Sequence, residues 1–96
     1  MDTINLNRPY KILSRNYKRY ARHYDIPAGE CLIIPTRKFG DQIRCQVIWK
    51  DAHGELQRRD DLMFSSSNIE PIDEIRDYPV FLLWENYCGS AQTDNG

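Results

Sequence analysis

The side chains in this chain best suited to chemistry are Cys31, Cys45 and Cys88, His23 and His53, and the adjacent carboxylates Asp60 and Asp61. Their spacing does not favour it. A zinc site needs four ligands with at least one short chelating interval, whereas the two histidines stand thirty residues apart and no cysteines form a CxxC pair. Cys45 as nucleophile with His53 as base requires an assumed geometry, and nothing near either residue would lower a thiol pKa. A cysteine packed as a small hydrophobe and a turn histidine explain both residues more simply. Neighbours on a strand point to opposite faces, so Asp60 and Asp61 cannot jointly flank one substrate atom. Glu70, Asp73, Glu74 and Asp77 lack the glycine and the alternation of a calcium loop. The chain contains no GxGxxG, no Walker-type lysine loop and no HExxH, which leaves phosphate cradles and metallopeptidase helices without an anchor. These residues predict a protein that is not an enzyme, with no cofactor and no metal site.

Ninety-six residues suffice for one modest core and leave no room for a catalytic domain beside a cofactor domain. Hydrophobic residues at 41% and charged residues at 28% are ordinary for a globular chain, which argues against wholesale disorder. An odd cysteine count without tight spacing favours a reducing compartment, so a cytoplasmic location is expected. The longest apolar runs, Cys31 to Ile34 and Val80 to Trp84, are far shorter than a membrane span. The first residues, with Asp2, Asn5 and Asn7, do not read as a secretory signal. No membrane partner is expected.

Charge divides the chain unevenly. Residues 1 to 24 carry Arg8, Lys11, Arg15, Lys18, Arg19 and Arg22 against Asp2 alone, a net of +5. The remaining 72 residues hold seven basic and thirteen acidic side chains, a net of −6. On a helical wheel of about 100° per residue, Tyr10, Leu13, Tyr20 and Tyr24 fall within about 60° of Tyr17. All six cations fall between about 100° and 200° on the same wheel. This pattern predicts a basic amphipathic helix over residues 8–25, with Pro9 in its first turn and Asn7 as cap. Pro27 would end it, because the residue before a proline avoids helical geometry. A second arrangement stays open, in which Tyr10 to Leu13 are extended and Ser14 caps a helix that starts there.

The segment from 28 to 87 changes texture to short apolar runs broken by turn residues. Cys31 to Pro35 reads as a strand ending at Pro35 on a sheet edge, followed by a turn over Lys38 to Asp41. Gln42 to Lys50 alternates, with Ile43, Cys45, Val47 and Trp49 on one face and Ile48 alone breaking the pattern. Asp51 to Gly54 reads as a hairpin loop. Leu56 to Phe64 would return, with an irregularity near Arg59 to Asp61. Ser65 to Asn68 then forms a polar helical turn and Ile69 to Ile72 a closing strand. Asp73 to Asp77 suggests a further turn. Val80 to Trp84 is an apolar segment, either a last strand or a protein-contact strip, and residues 88–96 read as a disordered tail.

Strands at this spacing indicate a small barrel or sandwich. The stretch from about 30 to 72 resembles an SH3-like small barrel of the Tudor or KOW type. The resemblance rests on a long hairpin, the short strand Leu62 to Phe64, the polar turn Ser65 to Asn68 and the terminal strand Ile69 to Ile72. It implies an α+β, mainly β fold in a single domain over residues 1–87, with the basic helix joined to the barrel. The signature residues of proline-rich-peptide binders are not evident at the matching places.

The basic face is the main functional lead. A solvent face ordinarily mixes signs, and six like charges repel unless something anionic compensates them. Two sources would serve: the protein's own acidic half or an external partner. The expected function is a non-catalytic interaction module, an adaptor, assembly or regulatory subunit. It would dock an acidic protein surface through Arg8, Lys11, Arg15, Lys18, Arg19 and Arg22. The alternative is a nucleic-acid-binding accessory protein using the same cations. The tyrosine stripe reads as core contact, with base stacking as the competing role.

Overall fold

The chain runs β1 (Tyr10–Ile12), a 3-10 turn (Ser14–Asn16), α1 (Tyr17–Tyr24), β2 (Leu32–Phe39), β3 (Gln42–Lys50) and β4 (Leu56–Ser65). A second 3-10 turn (Ser66–Asn68), β5 (Ile69–Pro71) and α2 (Val80–Asn95) complete it. This computed structural model describes residues 4–95, with side chains as far as Tyr87. All strands lie in one antiparallel sheet of order β4-β3-β2-β1-β5, so β4 and β5 are its edges. The fold is a small α+β domain, mainly β.

The alternation read in Gln42 to Lys50 gives β3 its two faces. Ile43, Cys45 and Val47 point into the larger core, with Ile33, Leu62 and Phe64. Ile48 points the other way and is buried too, against Leu32, Ile34, Val80 and Leu83. The break in alternation therefore marks a second covered face, supplied by α2. The same two-sided cover explains why Cys31 to Pro35 is buried at every position.

Pro35 corrects one expectation. It is inside β2, a central strand, rather than at an edge. The Pro35 carbonyl accepts from the Asn7 amide at 2.7 Å, so its nitrogen faces the same side, where β1 has already ended. The missing N–H costs the β2–β3 ladder nothing. Beyond it, Thr36 is bulged out and β2 continues to Phe39. The turn is only Gly40 and Asp41, with Gly40 at φ 60°, as a two-residue hairpin favours. At the other hairpin, the Asp51 carboxylate accepts the amides of His53 and Glu55, which assigns His53 to the turn. The expected irregularity in β4 is a register shift at Asp60 and Asp61, with Asp61 at φ 59°.

The helix expected over 8–25 is shorter than that. Tyr10 to Ile12 are a strand, because Tyr10 and Ile12 bury on one side while Lys11 pairs with Glu70 of β5. Aromatic and β-branched residues accept a strand readily once partner strands are present. The alternative with Tyr10 to Leu13 extended is the arrangement found. Ser14 is not a side-chain cap: Leu13 precedes the 3-10 turn and Asn16 precedes α1, neither with a capping hydrogen bond. Val80 to Trp84 is also helical, where a strand or strip was expected, and Leu83 is buried with Val80 on the sheet. The tail expected over 88–96 falls on positions whose side chains lie outside the described residues; the backbone of α2 runs to Asn95.

Candidate interaction surface

α1 is held by its tyrosines. Tyr20 is buried, its ring centroid 4.7 Å from that of Phe64, and Tyr24 lies 5.6 Å from the same ring. Tyr17 and Ala21 pack against this core, and a Cβ on Gly29 would come within 3.4 Å of the Tyr17 ring. The hydroxyls are used as well. Tyr20 accepts from the Asn68 side-chain amide at 2.8 Å, and Tyr24 bonds the backbone of Met63 in both directions. The guanidinium of Arg59 donates to the Tyr24 carbonyl at the end of the helix. Asp25 ends it in the left-handed region, at φ 56° and ψ 53°, a conformation aspartate tolerates. The stripe is therefore core contact, with its polar tips already engaged.

The opposite side of α1 presents Lys18, Arg19 and Arg22, all exposed, and Arg15 precedes them in the 3-10 turn. The Arg15 guanidinium donates to the Ser67 carbonyl at 3.4 Å. The Arg19 guanidinium carbon stands 5.7 Å from the Tyr20 ring centroid, within cation–π range. Among the described residues, no carboxylate is within ion-pair distance of any of these four. Lys18, Arg19, Arg22 and His23 form one wall of an open cleft of about 880 Å³. Tyr20, Tyr24, Gln42, Met63, Ser65 and Asn68 line the rest of it.

Lys11 must be withdrawn from this face. It points away from the helix and pairs with Asp77 at 2.6 Å and with Glu70 at 3.3 Å. The hydrogen bond to Asp77 is the main reason its pKa is raised above the usual lysine range. Burial would push the Asp77 carboxyl up, yet Lys11 and the Asp73 amide hold it below the usual carboxylate range. Arg8 is exposed in the segment before β1, off the helix, and does not line the cleft. Of the six expected residues, the fold gathers Arg15, Lys18, Arg19 and Arg22 on α1 and its entry turn.

Gln42, Met63 and Ser65 carried no signal in the sequence, because only the β3–β4 pairing brings them beside α1, and Asn68 joins them from the second 3-10 turn. Arg37, Lys38 and Arg44, also exposed or half-exposed, were legible only as strand and turn charge. Nucleophile chemistry finds little here: burial pushes both the Cys31 and Cys45 thiols up to about 12. Among the described residues no three His, Cys, Asp or Glu side chains gather as a metal-holding group. No helix among them is long and apolar enough to cross a membrane. No protein-family model matches the chain, and no curated protein or solved structure matches it significantly.

Proposed function

We propose that this protein is a non-catalytic interaction module that docks an acidic protein surface through Arg15, Lys18, Arg19 and Arg22. One observation carries the reading. The fold matches Lys11 with two carboxylates of its own and matches none, among the described residues, to the four cations on α1 and its entry turn. Like charges in two adjacent turns raise the energy of the free protein, and an acidic partner lowers it on binding. The buried thiols and the turn role of His53 support a surface that binds without catalysing.

The sheet is read in the same way as a small SH3-like barrel, incompletely closed. Its strand order and the single 3-10 turn between β4 and β5 support this. α1 then occupies the long connection between β1 and β2. Nucleic-acid binding by the same cations is the second reading, favoured by the open cleft whose lining includes Lys18, Arg19, Arg22 and His23.

The test compares wild type with a variant carrying Arg15→Gln, Lys18→Gln, Arg19→Gln and Arg22→Gln, with Arg8→Gln, an exposed cation outside the cleft, as control. A partner recovered from native extract should be lost with the quadruple variant and kept with the control. Retention of every partner by the quadruple variant would refute the proposed face. Retention of the wild type on a single-stranded DNA column, falling steeply with salt and absent in the variant, would favour the second reading.

A further inference from the structure

Beyond α1, the tip of the β2–β3 hairpin carries a second group of unmatched cations around an exposed ring. Phe39 is 50% exposed, and the guanidinium carbons of Arg37 and Arg44 each stand 5.9 Å from its ring centroid. The Nε of Arg44 is shut off from solvent without a hydrogen-bond acceptor. Among the described residues, neither arginine has a carboxylate within ion-pair distance.

Strand register joins this tip to the α1 cleft. Phe39 pairs with Gln42 and Gln42 with Ser65, while Arg37 pairs with Arg44 and Arg44 with Met63. Residues directly opposite in an antiparallel ladder share a face, so these six side chains make two adjacent rows across three strands. These rows lie on the sheet face opposite Ile43 and Phe64, and at the β4 edge their ends, Ser65, Met63 and Gln42, line the cleft with Lys18 and Arg22. Phe39 and Arg37 close the β2 end, two strand spacings or about 10 Å further on.

We propose that the hairpin tip and the α1 cleft form one docking surface for an acidic protein segment that seats an aromatic or large apolar side chain against Phe39. This rests on the reading that α1 docks an acidic protein, and it specifies that partner. Carboxylates of the segment meet the guanidinium groups at both ends. Arginine, phenylalanine and methionine are the residue types enriched where protein surfaces bury each other. A single-stranded nucleic acid would want several successive rings for its bases. Tyr20 and Tyr24 reach the cleft, but their rings pack against Phe64 and their hydroxyls are engaged, so they offer no free faces to stack bases. Phe39 is the half-exposed phenyl ring of this surface.

The test selects a random twelve-residue peptide library, displayed on phage, against the immobilised full chain. Enriched peptides should be rich in Asp and Glu and contain an aromatic or large apolar residue. Against Phe39→Ala the acidic enrichment should persist and the aromatic preference vanish. The best peptide should bind that variant about tenfold more weakly. Acidic enrichment without aromatic preference would overturn the role of the hairpin and leave the α1 reading standing. Enrichment without acidic character, or none at all, would overturn both. Binding of a twenty-nucleotide oligothymidylate that weakens in Phe39→Ala would overturn the protein partner in favour of nucleic acid.

Discussion

The Tyr24 hydroxyl donates a hydrogen bond to the Met63 carbonyl at 2.6 Å and accepts one from the Met63 amide at 3.1 Å. Met63 belongs to β4, an edge strand whose outward backbone groups have no neighbouring strand. A side chain from α1 therefore takes the place of a strand at that point, and this fixes the helix against the sheet. The same contact places Lys18, Arg19 and Arg22 over the cleft. It also blunts an edge that would otherwise invite pairing with another chain.

Tyr24→Phe should cost about 1–2 kcal/mol, because it keeps the ring and strips two partners from a half-buried backbone site. Urea unfolding would measure the loss, and amide exchange at Met63 should accelerate more than at Val47. An unchanged stability would mean that water replaces the hydroxyl without cost.

The Lys11–Asp77 pair gives stability a definite pH window. Asp77 has its pKa lowered by folding, so its contribution is present above the ordinary carboxylate value and fades as pH falls through the lower folded one. Lys11 has its pKa raised, so its contribution is full below the usual lysine range and fades as pH rises through the folded value. Lys11→Met leaves the Asp77 carboxylate buried without its cation and should cost about 3 kcal/mol at pH 7. Asp77→Asn should flatten the acid limb of the stability profile. Chemical denaturation from about pH 3 to about pH 7, a range that spans carboxylate titration, would check both.

Cys31 and Cys45 should resist thiol reagents in the native protein. Their thiols are buried, and burial pushes the pKa of each to about 12, so little thiolate exists at neutral pH. In a Cys88→Ser background, a chromogenic disulfide reagent at pH 8 should react only as fast as the protein opens. It should react immediately and with both thiols in guanidinium chloride. Rapid native labelling would show that one of the two is reached without unfolding.

Gly40→Ala should cost about 1 kcal/mol, because φ is 60° at the first position of a two-residue hairpin turn. Nothing stands within 4 Å of the position a Cβ would take. The penalty is then purely conformational, and thermal unfolding should show it.

How much could be read in the chain depended on whether the decisive contacts were local. β3 was legible because Ile43, Cys45 and Val47 set its period by themselves. β1 was legible only as an alternative: Tyr10 joins the tyrosine side of a helical wheel, whereas Ile12 falls about 200° away among the cations and shares a face with Tyr10 only in a strand. Only pairing with Ile69 to Pro71, more than fifty positions away, decides for the strand. Val80 to Trp84 is too short an apolar run for its period to separate helix from strand. Its burial comes from Leu32, Ile34 and Ile48 on the second sheet face.

The cations of α1 were legible for the same reason as β3, since their spacing is their own. Lys11 shared that spacing, and its withdrawal required Asp77, 66 residues later in the chain. Met63, Ser65 and Gln42 could not be foreseen at the cleft. Their place depends on register with β3 and on a tyrosine reaching the sheet edge.

The most direct test of the α1 surface is calorimetric titration of the purified partner into wild type and into the quadruple glutamine variant, after circular dichroism shows the two folds alike. The account predicts that affinity falls by at least about tenfold in the variant and that the wild-type affinity weakens as salt is added. Equal affinity for both proteins, at low and at high salt, would contradict it.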